Sequence, residues 1–114
     1  MAQSIGYFQF DNLVKGRVGF VFLNFGVETH SVYPHIFKMH LESRQLQLPE
    51  GDLKTASMQD ILLAMSHHPK ETAVIVLCQN GAKSAEVAQA LEEAGFINTY
   101  FIKGGWDQVL EERA

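Results

Sequence analysis

The chemistry available to this chain of 114 residues centres on its single cysteine, Cys78, which ends an apolar run and opens the segment Gln79, Asn80, Gly81, Ala82, Lys83 and Ser84. Residues 72–77, Thr-Ala-Val-Ile-Val-Leu, read as a buried parallel strand, and residues 84–94 read as an amphipathic helix of strong helix formers. The thiol therefore stands at a strand-to-helix turn. Such a turn aims successive backbone N–H groups at one point and adds the positive end of the helix dipole, so it binds an anion and lowers the pKa of a thiol held there. Gly81 supplies the backbone freedom of a tight cradle, Lys83 brings a cation, and Ser84 suits a capping or first-turn position. The competing reading is an inert core cysteine, because free cysteine is among the most buried residue types. The company of Gly81, Lys83 and Ser84 favours a nucleophilic thiolate with an anion-binding loop over residues 79–84.

The elements that must hold this loop are partly legible. Residues 4–7 suggest a short first strand and residues 11–15 a short helix closed by Gly16, although residues 6–10 also fit an extended segment. Residues 18–25 are β-branched, aromatic and nearly continuous in apolar residues, which predicts a central strand covered on both faces. Tyr33-Pro34 imposes a turn or extended geometry before His35, residues 37–40 suggest a strand, and residues 48–52 a loop. Ser57 has the character of an N-cap with Asp60 three residues on, and Ile61, Leu62 and Met65 form the stripe of a helix reaching about His67, stopped by Pro69. Strand, helix and strand then alternate through residue 102, which implies parallel pairing with right-handed crossovers.

The loop Cys78-Gln79-Asn80-Gly81-Ala82-Lys83-Ser84 resembles the active-site loop of the rhodanese, or thiosulfate sulfurtransferase, family. Downstream, Ala94-Gly95-Phe96, the strand-like residues 98–102 and Lys103-Gly104-Gly105-Trp106 follow in the order of that family's helix, strand and Gly-Gly-Trp turn. The amino-terminal half departs from the pattern. Asn24 and Gly26 stand where the family carries an Asp-x-Arg pair, and His35-Ile36 is followed by Phe37-Lys38-Met39 in place of Pro-Gly-Ala.

The resemblance implies one rhodanese-like α/β domain over residues 1–114, with a central, mainly parallel sheet flanked by helices on both faces. It also implies a sulfurtransferase in which the Cys78 thiolate takes the outer sulfur of thiosulfate or a persulfide and passes it to a thiol or cyanide. Residues Gln79, Asn80, Gly81, Ala82, Lys83 and Ser84 would bind the small anionic donor, and Lys83 would attract and orient it. Gln79 stands where many members have Arg, which implies weaker donor binding or a less charged donor. No metal and no cofactor are implied, and a sulfur-relay protein is a fitting partner. The alternative is a catalytically weak rhodanese fold used as a binding or regulatory module, an alternative that the changes at Asn24, Gly26 and Gln79 support.

Composition narrows the classes. A length of 114 residues suits one domain with a single core, and 46% hydrophobic residues with eight Phe suit a well-filled one. A net charge of -4 argues against a nucleic-acid surface or an anionic membrane as partner. No apolar stretch approaches a membrane span, and the amino terminus lacks the pattern of a signal peptide, so the expected address is cytoplasmic, where a lone thiol stays reduced.

Other motifs are read as structural. His30, His35 and His40 are spaced five apart, which places neighbours on no common face of a strand or helix and speaks against a metal site. His67-His68 suits a helix C-terminus, and Glu92, Glu93, Glu111 and Glu112 suit a solvated helix face. Gly104-Gly105-Trp106 reads as a tight turn with Trp106 capping the core. A tyrosine-phosphatase loop needs Arg six positions after the cysteine, to grip two phosphoryl oxygens; position 84 is Ser.

Overall fold

The computed structural model describes residues 2–16, 19–46, 48 and 53–113. Among them the elements run β1 (Gln3–Ile5), α1 (Tyr7–Lys15), β2 (Val21–Asn24), α2 (Ile36–Arg44), α3 (Met58–Met65), β3 (Val74–Leu77), α4 (Ala82–Glu93), β4 (Thr99–Ile102) and α5 (Gly105–Arg113). The strands form one parallel sheet in the order β1-β4-β3-β2. Parallel neighbours need crossovers, and the helices that make them cover both faces.

Alternation along β3 divides the core. Val74 and Val76 point to one layer with Val21 and Leu23 of β2, Ile61 and Met65 of α3, and Val87, Ala88 and Leu91 of α4. Ile75 and Leu77 point to the other, with Phe22, Phe10 and Val14 of α1, Leu41 of α2, and Trp106 and Val109 of α5. Every side chain of β3 is buried, which is why its sequence is continuously apolar. The expected α/β architecture, parallel sheet and two-sided helical cover are all present.

Several boundaries differ from expectation. The strand anticipated at residues 18–25 is β2, which starts at Val21, with Val18 outside the described residues, and lies at the sheet edge rather than at its centre. Its apolar run reflects covered faces, and its outer edge is shielded by chain following α2, where Leu46 N–H donates to Phe22 O at 2.9 Å. Residues 37–40, anticipated as a strand, lie in α2. Leu41 buried one turn after the partly buried Phe37, and the Lys38–Glu42 pair at 3.7 Å, carry the helical period that overrides the local β propensity. α1 begins at Tyr7, four residues before the expected start, with Phe10 and Val14 buried one turn apart. β3 begins at Val74 rather than residue 72, and α4 at Ala82 rather than Ser84. The turn at Gly104 leads directly into α5, and Trp106 is buried as expected. Ser57 is the N-cap of α3, its Oγ accepting from Asp60 N–H at 3.1 Å. The loop anticipated at residues 48–52 lies, after Leu48, outside the described residues.

The register brings the ends of β2 and β3 together. Asn24 pairs with Leu77, and Phe25 N–H donates to Leu77 O at 2.9 Å, so Phe25 and Cys78 leave the sheet side by side at its carboxyl edge. That edge is where helix N-termini gather in open α/β sheets.

Candidate active site

Cys78 is 5% exposed and its sulfur is ringed by hydrogen-bond donors of the loop that follows. Gly81 N–H donates to Sγ at 3.1 Å and Ser84 N–H at 3.2 Å, while Ser84 Oγ lies 3.3 Å away. The first turn of a helix leaves N–H groups without intrahelical partners. In α4 Asn80 Oδ1 accepts from Ala82 N–H at 3.0 Å, and Sγ accepts from Ser84 N–H, so the sulfur fills the place of a capping oxygen. Gly81 makes this geometry reachable, because it caps α4 in the left-handed region at φ 90°.

Two effects act on the thiol in opposite directions. Burial pushes its pKa up, while the Ser84 hydroxyl and the N–H groups of Ser84, Gly81 and Lys83 pull it down; the hydrogen bonds prevail, and the pKa lies below its ordinary value. The Ser84 hydroxyl, fully buried, donates to Gly81 O at 3.1 Å and accepts from the Cys78 thiol at 3.3 Å. Turning from the first to the second gives a thiolate one more donor. The arrangement can hold a sulfur anion at Cys78.

The remaining loop side chains point elsewhere. Lys83 Nζ lies 5.5 Å from the centre of the Phe25 ring, a cation–π contact over the neighbouring strand exit. Gln79 Nε2 donates to Asp107 Oδ1 at 2.6 Å, with both residues exposed. Of the residues anticipated for the site, Gly81, Lys83 and Ser84 direct donors at the sulfur, whereas the side chains of Gln79 and Asn80 do not, and Ala82 contributes only backbone.

The sequence reading missed the support beneath the loop. Trp106 N–H donates to Cys78 O at 2.9 Å and Asp107 N–H to Gln79 O at 3.0 Å, so the first turn of α5 binds the loop from below. Gly105 permits the approach, since a β-carbon there would lie 2.5 Å from Cys78 O and 2.5 Å from Gly81 N. The Gly104-Gly105 pair was the signal for this contact.

At the exit of β2, Asn24 Nδ2 donates to Val27 O at 2.8 Å and Asn24 Oδ1 accepts from Val27 N–H at 2.8 Å. A carboxylate could make only the second bond. Gly26 follows at φ 80°, with the Lys54 stem 3.1 Å from the place of its absent β-carbon. Asn24 and Gly26 therefore build a self-contained turn. A cavity of about 510 Å³ lined by Asn24, Gly26, Thr29, Lys38, Glu42 and Lys54 opens beside this turn, and Cys78 does not line it.

A family model described as the rhodanese-like domain matches residues 35–112, a span that contains the whole Cys78 loop and its α5 support. The chain belongs to the rhodanese-like domain family. Within that family it is similar to proteins named thiosulfate sulfurtransferase GlpE from Actinobacillus pleuropneumoniae, serotype 5b strain L20 and serotype 3 strain JL03. Each is 49% identical over 37 residues, covering 32% of this chain and 34% of the relative. The match thus spans about a third of the curated relatives' length. Among solved structures, SSP1007 from Staphylococcus saprophyticus subsp. saprophyticus shares the fold with a TM-score of 0.57 at 18% identity, covering 94% of this chain and 92% of that one. Among the described residues of this rhodanese-like chain, no helix is long and apolar enough to cross a membrane.

Proposed function

We propose that this rhodanese-like protein is a sulfurtransferase that carries sulfane sulfur on Cys78. The single observation that carries the reading is the convergence of Gly81 N–H, Ser84 N–H and Ser84 Oγ on Sγ within 3.3 Å. The Cys78 thiolate attacks the outer sulfur of a donor such as thiosulfate; the donor's S–S bond breaks, sulfite leaves with the bonding pair, and the enzyme holds a persulfide anion. Cyanide or a thiolate then attacks the terminal sulfur, forming thiocyanate or a new persulfide and returning the Cys78 thiolate. The negative charge sits on Sγ in the free thiolate and on the outer sulfur in the persulfide, so the N–H ring stabilises Sγ as nucleophile and again as leaving group. Lys83, in the first turn of α4, attracts the anionic donor, and a thiol of a partner protein is a fitting physiological acceptor. No cofactor or metal is needed, because each step is a displacement at sulfur. The two core layers share one sheet, which supports residues 1–114 acting as one domain.

A second reading, a rhodanese fold kept as a binding or regulatory module, is favoured by the low exposure of Cys78, 5%. Thiocyanate release separates the two. With cyanide and either thiosulfate or methanethiosulfonate as donor, the wild type turns over and Cys78→Ser, which keeps an acceptor for the N–H ring, does not. Equal thiocyanate from both proteins, or none from the wild type with either donor, would overturn the enzymatic reading.

A further inference from the structure

Among the side chains of the loop only Lys83 carries a positive charge. Gln79 is neutral, and its amide is taken by Asp107 at 2.6 Å. Asn80 is turned back to Ala82 N–H, and Lys83 lies over Phe25. The backbone donors of Gly81 and Ser84 are already directed at Sγ and match one sulfur anion rather than a sulfonate group. The Asp107 carboxylate, meanwhile, is fixed beside Gln79 by two contacts, its own N–H to Gln79 O at 3.0 Å and the side-chain bond. A negative charge held against the residue that follows the nucleophile repels a dianion about twice as strongly as a monoanion at the same distance.

We propose, resting on the sulfur-transfer reading above, that Asp107 is a positioning and charge-selectivity residue that holds Gln79 and turns the site from dianionic donors toward monoanionic sulfane donors, the class of alkyl persulfides. For an alkyl persulfide the step balances without a further reactant. The Cys78 thiolate attacks the terminal sulfur of RS–S⁻, the donor S–S bond breaks, RS⁻ leaves with the pair, and Cys78 becomes the persulfide anion. Sulfite, with its heavy charge, never has to be accommodated next to Asp107.

The test compares thiosulfate, a dianion, with methanethiosulfonate, a monoanion, as donors to cyanide at low ionic strength. Asp107→Asn keeps an oxygen acceptor for Gln79 and removes the charge; Asp107→Glu keeps the charge. The expected result is that Asp107→Asn raises the thiosulfate-to-methanethiosulfonate ratio of kcat/KM roughly threefold to tenfold, through KM, and that added salt shrinks the gain. Asp107→Glu keeps a ratio near that of the wild type. An unchanged ratio in Asp107→Asn, or equal loss of both donors, would overturn the selectivity role while leaving sulfur transfer intact. If Asp107→Asn fails to fold by its thermal transition, the Lys83→Ala protein decides: with the attracting cation gone its ratio must rise with added salt, and a falling ratio overturns the proposal. Turnover of neither donor would remove the sulfur-transfer reading itself, and this inference with it.

Discussion

Ser84→Ala removes the side-chain hydroxyl that accepts from the Cys78 thiol and can turn to donate to its thiolate. Its hydroxyl is fully buried and 3.3 Å from Sγ, so its bond to a thiolate is shielded from water and worth about 1.5–3 kcal/mol, the range for hydrogen bonds to charged groups. Removing it, while the Gly81 and Ser84 N–H groups stay, raises the thiol pKa and cuts the thiolate fraction well below the midpoint by roughly ten- to hundredfold. A more basic thiolate is also a better nucleophile, which returns about half of that on a logarithmic scale. The rate of iodoacetamide alkylation below the midpoint therefore falls by about threefold to tenfold, and the midpoint of its pH profile moves up. The same linkage fixes a sign for stability. Because the folded pKa of Cys78 lies below its unfolded value, the unfolded chain holds more protons between the two, so stability rises with pH across that window; it is fully present above the unfolded pKa and lost as pH falls through the folded one. Ser84→Ala narrows the window. Superimposable alkylation profiles for the variant and the wild type would refute the role assigned to the hydroxyl.

Other substitutions probe the surroundings. Gly105→Ala would drive a methyl group to 2.5 Å from Cys78 O at a backbone φ of 66°, so a loss of about 3 kcal/mol is expected in urea unfolding; a loss under about 1 kcal/mol would mean that α5 does not brace the loop as described. Lys83→Ala should slow capture of thiosulfate by about threefold to tenfold at low salt, with the effect fading as salt rises and thiol alkylation little changed; salt-independent kinetics equal to the wild type would remove Lys83 from donor binding. His35 occupies φ 55°, ψ -119° ahead of α2, with Phe37 N–H donating to Pro34 O at 3.3 Å, the geometry of a type II′ turn whose second position favours glycine. His35→Gly is expected to stabilise the fold by about 0.5–1 kcal/mol against urea, and a lower midpoint would contradict that turn assignment.

The sequence made the Cys78 loop legible because its parts are local. An apolar strand, a left-handed glycine and a helix start lie within a few residues, and each has a recognisable composition. The α/β plan of a parallel sheet with helical crossovers was readable for the same reason along β3, α4 and β4. Position within the sheet was not, since the apolar run of β2 reports only that both faces are covered, and an edge strand shielded by Leu46 and its neighbours has the same composition as a central one. α2 was hidden because Ile36 and Phe37 carry β propensity while its helical period shows mainly in Phe37, Leu41 and the Lys38–Glu42 pair. The bond between Asp107 and Gln79 joins residues 28 apart, and nothing in local composition marks such a partner. Asn24, met first as a missing acid, has a purpose of its own in closing both bonds of the β2 exit turn.

A transferable sulfur on Cys78 is read directly by intact mass spectrometry of the folded protein. After incubation with methanethiosulfonate or thiosulfate and removal of excess donor, the wild type should gain the mass of one sulfur atom, lose it on addition of cyanide, and show no gain in the Cys78→Ser variant. A wild-type mass that stays unchanged with both donors, while a known sulfurtransferase treated in parallel is labelled, would contradict it.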